Sequence, residues 1–398
     1  MSLSRRALLH RTGAAGLVAF LPQPLRALRR DREDRRLVLL FLDGGNDGLN
    51  TVAPIADDLY HKARPKLQLA GDLPRLDDAT ALHPSLAPWK TLFDAGSLAI
   101  LRNVGYDRPN RSHFVSRDIW HSGQRAGSDL ETDYVSTGRD TGWVARALER
   151  TSSSGLPPVA LGTGEAPLIL RGSARGGLTL DSPEAFQVQG DVGALRAGAS
   201  ATSGASDALQ RIAAAANDAY AAADSLRRSI DSIPAGDGYP DNALADRLKL
   251  AARLLRAESG PPVAWTFLGG FDTHAVQAGT HAVLLDQVAT ATTAFLRDLQ
   301  RDGTDRRVLT LVYSEFGRRV HENGSAGTDH GAAAPVFALG PVNGGLHGPP
   351  PDLENLDDGD VRATADFRSV FAEAAAWMGW GTDELFDGEP ADAPPYLT

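Results

Sequence analysis

The stretch GSAGTDHGAAAP, residues 324–335, sets a carboxylate beside an imidazole, Asp329 and His330, among small residues just before the apolar run VFALG. Turn chemistry accounts for the glycines but leaves the Asp-His pair unexplained. Three more acidic or imidazole groups directly follow apolar runs. Asp43 and Asp47 follow LVLLFL, Asp272 and His274 follow VAWTFLGG, and Glu315, behind Ser314, follows VLTLVY. Oxygen and nitrogen donors of this kind can neutralise one or two divalent cations. Because Cys is absent, any metal must be held by oxygen and imidazole nitrogen. The cations expected are Zn, Mn, Ca or Mg. A metal pair would position an attacking group, polarise the electrophile and stabilise the leaving oxygen.

Other residues offer nucleophiles and cations. In RPNRSHF, Ser112 can attack if a metal lowers its hydroxyl pKa, and His113 can bind substrate or exchange a proton. Ser112 capping the following helix is an equal alternative. In SEFGRR, Arg318 or Arg319 can orient an anionic substrate by a forked hydrogen-bond arrangement, or the pair can face solvent at a helix start. Asp272 and His274 taken alone also fit a helix cap and a backbone contact, and Asp47 alone fits a turn. There is no HExxH metal motif, no GxSxG elbow and no complete Walker phosphate loop. The six tryptophans are scattered, as packing anchors are, rather than grouped into a carbohydrate platform.

The elements that must position these groups alternate between strand and helix. LVLLFL is a continuous apolar run bounded by charge and by DGGNDG, which predicts a central parallel strand with a sharp turn at its carboxyl end. Further strands are expected at SLAILRNV, VAWTFLG, VLTLVY and PVFALG, with LPPVALG and PLILRG as short edge strands or a small excursion. Helices are expected at PSLAPWKTLFDAG, at TGWVARALE with Thr141 as N-cap, around Val276 to Leu299, and at FRSVFAEAAAWMG. The Ala-rich run after Asp207 and NALADRLKLAARLLRAE predict a helical hairpin covering the sheet, an insertion over 204–258. In a parallel sheet the carboxyl ends of the strands share one edge, so groups remote in sequence can converge in one crevice.

At 398 residues, 42% hydrophobic and 23% charged, the chain is globular and long enough for a large α/β domain, expected over 31–390. A net charge of −10 argues against a nucleic-acid partner. Residues 1–30 combine arginines with the short apolar region AAGLVAF, and SRRALLH closely resembles a twin-arginine export signal. No later run has the length and apolarity of a spanning helix. ELFDGEPADAPPYLT reads as an exposed tail, with 391–398 as its terminal part.

The ordered succession FLDGGNDGLNTVAP, RSHF, FDTH, SEFGRRVHENGSAGTDHG and TADFRSV resembles the DUF1501 family of bacterial exported proteins. That family is similar in fold to the alkaline phosphatase and sulfatase superfamily. The resemblance implies a three-layer α/β/α sandwich with a predominantly parallel central sheet, and metals at its carboxyl edge. By matching positions it implies Asp47, Asp272, His274, Glu315, Asp329 and His330 as metal ligands. It also implies Ser112 as nucleophile with His113 and Arg318 in catalysis, and Asn50, Arg111 and Arg319 as substrate contacts. A cysteine-derived formylglycine is excluded. The expected activity is hydrolysis of a phosphate or sulfate ester, on an anionic small molecule or a carbohydrate or lipid, in the periplasm or after secretion. A non-catalytic binding or assembly protein with an envelope partner is the alternative.

Overall fold

The computed structural model describes residues 34–124, 140–151, 156–173, 176–180, 230, 233–257, 260–388 and 394–398. The export segment, the connection over 193–207 and the first helix expected for the hairpin lie outside the described residues, apart from Ile230.

The described strands are β1 (Arg36–Asp43), β2 (Val52–Ala53), β3 (Ala81–Leu82), β4 (Leu98–Gly105), β5 (Val159–Leu161), β6 (Leu178–Leu180), β7 (Val263–Gly269), β8 (Val308–Tyr313), β9 (Ala334–Leu339), β10 (Gly345–His347) and β11 (Ala365–Asp366). The described helices are α1 (Gly48–Thr51), α2 (Asp58–Ala63), α3 (Ala87–Asp94), α4 (His113–Ser122), α5 (Trp143–Arg150), α6 (Ala243–Arg256), α7 (Gln277–Gln300) and α8 (Phe367–Trp377).

Among the described residues, nine strands form the main sheet in the order β10-β4-β9-β8-β1-β7-β5-β6, with β11 also pairing β4. β1 lies between β7 and β8 and is parallel to both, in register from Leu37 opposite Val263 to Asp43 opposite Gly269. Its unbroken apolar run follows from this position, since both faces are covered. Val38, Leu40 and Leu42 enter one core with Trp89 of α3, Leu248 of α6 and Phe295 of α7. Leu37, Leu39 and Phe41 enter the other with Trp120 of α4, Trp143 of α5 and Phe371 of α8. The period of two along β1 therefore divides the molecule into three layers, α/β/α.

Among the described strands of this sheet only β9 runs against its neighbours, β4 and β8. This inversion positions the site. The amino end of β9 lies at the edge where the parallel strands have their carboxyl ends, so the segment Ser314–Ala333 leaves β8 and returns to β9 at that same edge.

Several local expectations are corrected. Gly142, not Thr141, is the N-cap of α5; a Cβ at Gly142 would sit 2.2 Å from the Leu168 carbonyl oxygen, so close backbone approach selects the residue. PLILRG forms a single 3₁₀ turn at Leu168–Leu170 rather than a strand, while LPPVALG supplies β5 inside the sheet. The terminal segment is not an exposed tail: Leu385 and Tyr396 are fully buried, and the Tyr396 hydroxyl donates to the Val370 carbonyl at 2.8 Å. Their apolar bodies cover α8. No helix among the described residues is long and apolar enough to cross a membrane.

Candidate metal centre

Four loops meet at the carboxyl edge. Gly44 (φ +119°) turns the chain sharply after β1, and a Cβ there would lie 2.4 Å from the Asp272 nitrogen, so glycine permits the loops after β1 and β7 to touch. The start of α4 brings His113, the loop after β7 brings Asp272 and His274, and the segment before β9 brings His330. Phe316 packs beneath His113 and His330, with ring centroids at 4.9 and 5.0 Å.

Three imidazoles converge on one carboxylate oxygen. His113 Nε2, His274 Nε2 and His330 Nε2 lie 3.4, 3.0 and 3.1 Å from Asp272 Oδ1. The other nitrogen of each ring is held by an acceptor. His113 Nδ1 donates to Glu315 Oε1 (2.8 Å), His274 Nδ1 to Asp329 Oδ1 (3.1 Å), and His330 Nδ1 to the Arg111 carbonyl (2.8 Å). A carbonyl or ionised carboxylate can only accept, so these bonds assign the proton to Nδ1 in each neutral ring. Each Nε2 then presents a lone pair to the cluster.

Such lone pairs repel unless a proton or a cation lies among them. His274 Nε2 and His330 Nε2 are 2.9 Å apart, and His113 Nε2 is buried with no hydrogen-bond partner. His113, Asp272 and His330 offer ligand atoms within 4.8 Å of one another, as a shared cation requires. Histidines whose outer N–H is fixed by a carboxylate or carbonyl are the usual form of metal-binding imidazole. The donor set therefore fits a divalent cation.

The electrostatics act in two directions: a depressed Asp272 pKa favours a cation, whereas a raised His113 pKa favours a proton on that ring. Burial pushes the Asp272 carboxyl up, but the Arg318 guanidinium, joined by His330 and His113 when those rings are protonated, outweighs it and holds the group at about 2. The hydrogen bond to Glu315 raises the His113 pKa, whereas burial lowers that of its neighbour His330 despite Asp272. The two rings meet edge to face, 4.3 Å apart.

The remaining candidates sit elsewhere. Glu315 and Asp329 hold imidazoles from behind instead of joining the inner donors. Asp47 is fully buried, paired with Arg64 and accepting from Gln277, so its charge is already matched below the edge. Arg318 is buried and donates to Asp272 Oδ1 (2.7 Å) and to the carbonyls of Gly44, Gly45, Phe271 and Thr328. These bonds tie three loop segments together, those after β1, β7 and β8, and spend the guanidinium's donors inside the protein. Arg111 pairs with Asp358 (2.9 Å) and Asp360 (2.6 Å), and Arg319 with the Asp358 carbonyl (2.6 Å). Asn50 donates to the Leu67 carbonyl (2.6 Å) and accepts from Tyr60 (2.9 Å), closing the loop after α2. Ser112 is the N-cap residue of α4, yet its side chain makes no capping bond.

His113 stands among the cation donors, although RSHF as a sequence points to proton exchange or substrate contact. The available signal was its position at the head of a helix beside an apolar aromatic, which is weak. Arg64 and Gln277, which neutralise and hydrogen-bond Asp47, carry no signal in the sequence that marks them as its partners.

Residues 34–389 match the model of the family described as "Protein of unknown function (DUF1501)". The chain belongs to the DUF1501 family. No curated protein matches this DUF1501 sequence significantly. Solved structures similar to it include a phosphoethanolamine transferase, a sulfatase and an alkaline phosphatase. The C-terminal periplasmic domain of EptC from Escherichia coli, solved with zinc, is 10% identical with a TM-score of 0.40, covering 88% of this chain and 84% of that one. The soluble domain of lipooligosaccharide phosphoethanolamine transferase A from Neisseria meningitidis is 10% identical with a TM-score of 0.39, covering 88% and 90%. Alkaline phosphatase from the Antarctic bacterium TAB5 is 11% identical with a TM-score of 0.37, covering 87% and 98%. Likenesses this remote leave the chemistry of the DUF1501 protein to its own side chains.

Proposed function

We propose that this DUF1501 protein is an exported metal-dependent hydrolase of phosphate or sulfate esters. The observation that supports it is the convergence of three imidazole Nε2 atoms on Asp272 Oδ1, each ring fixed from behind by Glu315, Asp329 or the Arg111 carbonyl. His113, His274, His330 and Asp272 would hold the ion. Three imidazoles and one carboxylate suit zinc or manganese; calcium and magnesium prefer oxygen donors. A divalent cation bound there supplies positive charge that favours ionisation of a nearby hydroxyl and stabilises charge on the transferred group.

The protein's own contributions are orientation and charge. Glu315, buried and accepting from Gly44 N (3.0 Å) and Ser314 Oγ (3.0 Å), cannot swing away and so fixes the His113 ring. Arg318 holds the loops after β1 and β7 at one separation. Ser112 is the candidate nucleophile: its hydroxyl is not spent on the helix cap, and its neighbour in sequence reaches the centre. Attack by Ser112 Oγ, its proton passing to solvent, would form a covalent phospho- or sulfo-enzyme as the substrate's ester oxygen departs, and water would then cleave that bond to release phosphate or sulfate. Export rests on the resemblance of Ser4–His10 to a twin-arginine signal.

A non-catalytic binding or assembly role on the same fold is the second reading. It is favoured by one observation: Arg111, Arg318 and Arg319 are all committed within the protein. The deciding experiment is to purify the protein, measure bound metals, and assay phosphate and sulfate ester turnover with and without a chelator. The hydrolase reading expects turnover that is lost on chelation, returns with zinc or manganese, and is abolished in His330→Ala. Full activity in metal-free protein eliminates it.

A further inference from the structure

Beside the metal centre lies a cavity of about 410 Å³, within the size range of ligand pockets. Asp43, at the carboxyl end of β1, lines it; its carbonyl accepts from Phe271 N (3.2 Å) and the adjacent Gly44 N donates to Glu315 (3.0 Å), which puts the cavity next to the centre. α4 makes the same connection along its length. His113, Arg117 and His121 recur at intervals of four residues and so share one helix face. The first joins the centre; the other two line the cavity.

The cavity combines two kinds of wall. One is aromatic: Trp265 and Phe267 of β7 stack on each other at 5.6 Å, and the Arg247 guanidinium lies over Phe267 at 5.2 Å. With their faces partly covered by one another and by Arg247, these rings leave partial faces, on which the C–H groups of a saturated ring can be set more readily than a planar base can stack. The other wall is polar and of both senses. Arg117 and Arg171 supply donors, and Asp43 supplies a carboxyl. His121 Nε2 is buried with no hydrogen-bond partner, on a residue only 2% exposed. An aryl group or an acyl chain filling this space would leave those polar atoms desolvated and unpaired, at a cost. A saccharide answers both walls, with C–H groups for the aromatic side and hydroxyls that donate and accept for the other.

We infer that this cavity binds the sugar ring of a saccharide phosphate or sulfate ester, holding its ester group toward the His113 end of α4. This rests on the hydrolase reading for the ester but not for the ring. The test therefore measures binding and turnover separately. Binding is followed by saturation-transfer NMR and calorimetry on the full chain, both chelator-treated and zinc-loaded. The probes are glucose, galactose and mannose, their 6-phosphates and 6-sulfates, phenyl phosphate, and inorganic phosphate and sulfate. At least one hexose ester should bind about tenfold tighter than phenyl phosphate or the inorganic ions, and should lose about tenfold in Arg117→Ala and in Phe267→Ala, a loss typical of removing a buried polar or packing partner. Arg171→Ala, altering a half-exposed side chain, should weaken the same probe without risk to folding. The inference is overturned if phenyl phosphate binds as tightly as every hexose ester, if no hexose probe binds either form of the protein, or if all three variants bind the hexose ester like the unmodified chain. Hexose-ester binding without turnover of any ester would refute the hydrolase reading alone. Turnover of phenyl phosphate without hexose binding would refute the cavity assignment alone.

Discussion

Asp47 separates a cation ligand from a structural anchor, and Asp47→Asn distinguishes them. Asp47 and Arg64 are both fully buried and paired; the Arg64 guanidinium also donates to the Val320 and Arg319 carbonyls, at 2.9 Å each. Burial alone would raise the Asp47 carboxyl, but Arg64, with His281 and Gln277, holds it below the usual carboxylate range. Asparagine can keep every bond. Its oxygen can take the place of Oδ2, accepting from Arg64 and Gln277, and its amide can take the place of Oδ1, which has no partner. The charge is lost, leaving Arg64 buried and uncompensated, and the amide N–H groups at the Oδ1 position find no acceptor, which adds to the cost. That state costs about 3–5 kcal/mol, a large part of the roughly 5–15 kcal/mol by which a domain is stable. In urea, followed by tryptophan fluorescence at pH 7, the midpoint should fall by that free energy at unchanged slope. The acid limb should also flatten. A carboxyl with a depressed folded pKa contributes stability above its unfolded value of about 4, lost as the pH falls through the lower folded value, and the amide has no such contribution. Zinc stoichiometry by calorimetry should stay that of the unmodified protein. A loss under about 1 kcal/mol together with reduced zinc stoichiometry would refute the anchor and make Asp47 a ligand.

Two more expectations follow from the same network. In Glu315→Gln, the amide oxygen can still accept from His113 Nδ1 and Gly44 N, so zinc should bind in the same stoichiometry but about 10- to 100-fold more weakly, as for other residues that support a metal-bound imidazole; unchanged affinity on titration would remove Glu315 from the centre. Burial lowers the His281 pKa to about 4, and its Nε2 donates to Asn46 Oδ1 at 3.0 Å. A histidine with a depressed folded pKa contributes stability that is present above pH 6.5 and lost as the pH falls toward 4, on the order of 3 kcal/mol over that window. His281→Gln, which preserves the donor, should flatten the urea-midpoint profile there, and an unchanged profile would contradict the assignment.

Much of the framework was legible from residue order. LVLLFL predicts a strand covered on both faces because an apolar run bounded by charge has no other economical place, and β1 lies there between β7 and β8. The meeting of Asp272, His274 and His330 follows from the shared edge of parallel strands once β9 is known to run backwards, bringing the residues before it to the same side as those after β7. The division of labour among the donors was not legible. A carboxylate after a strand reads alike whether it touches a cation or steadies an imidazole, and the two positions differ by only the width of a ring. Glu315 and Asp329 fall behind the rings, while His113, in a loop read for nucleophiles, reaches the middle. The arginines of SEFGRR misled for a related reason. A guanidinium is costly to bury, so the pattern favours an open, substrate-facing role; Arg318 escapes that cost by spending its donors on four loop carbonyls and Asp272, partners from segments up to 274 positions distant. The groups that hold the loops are thus as charged as those that would do chemistry, and only the direction of each hydrogen bond tells them apart.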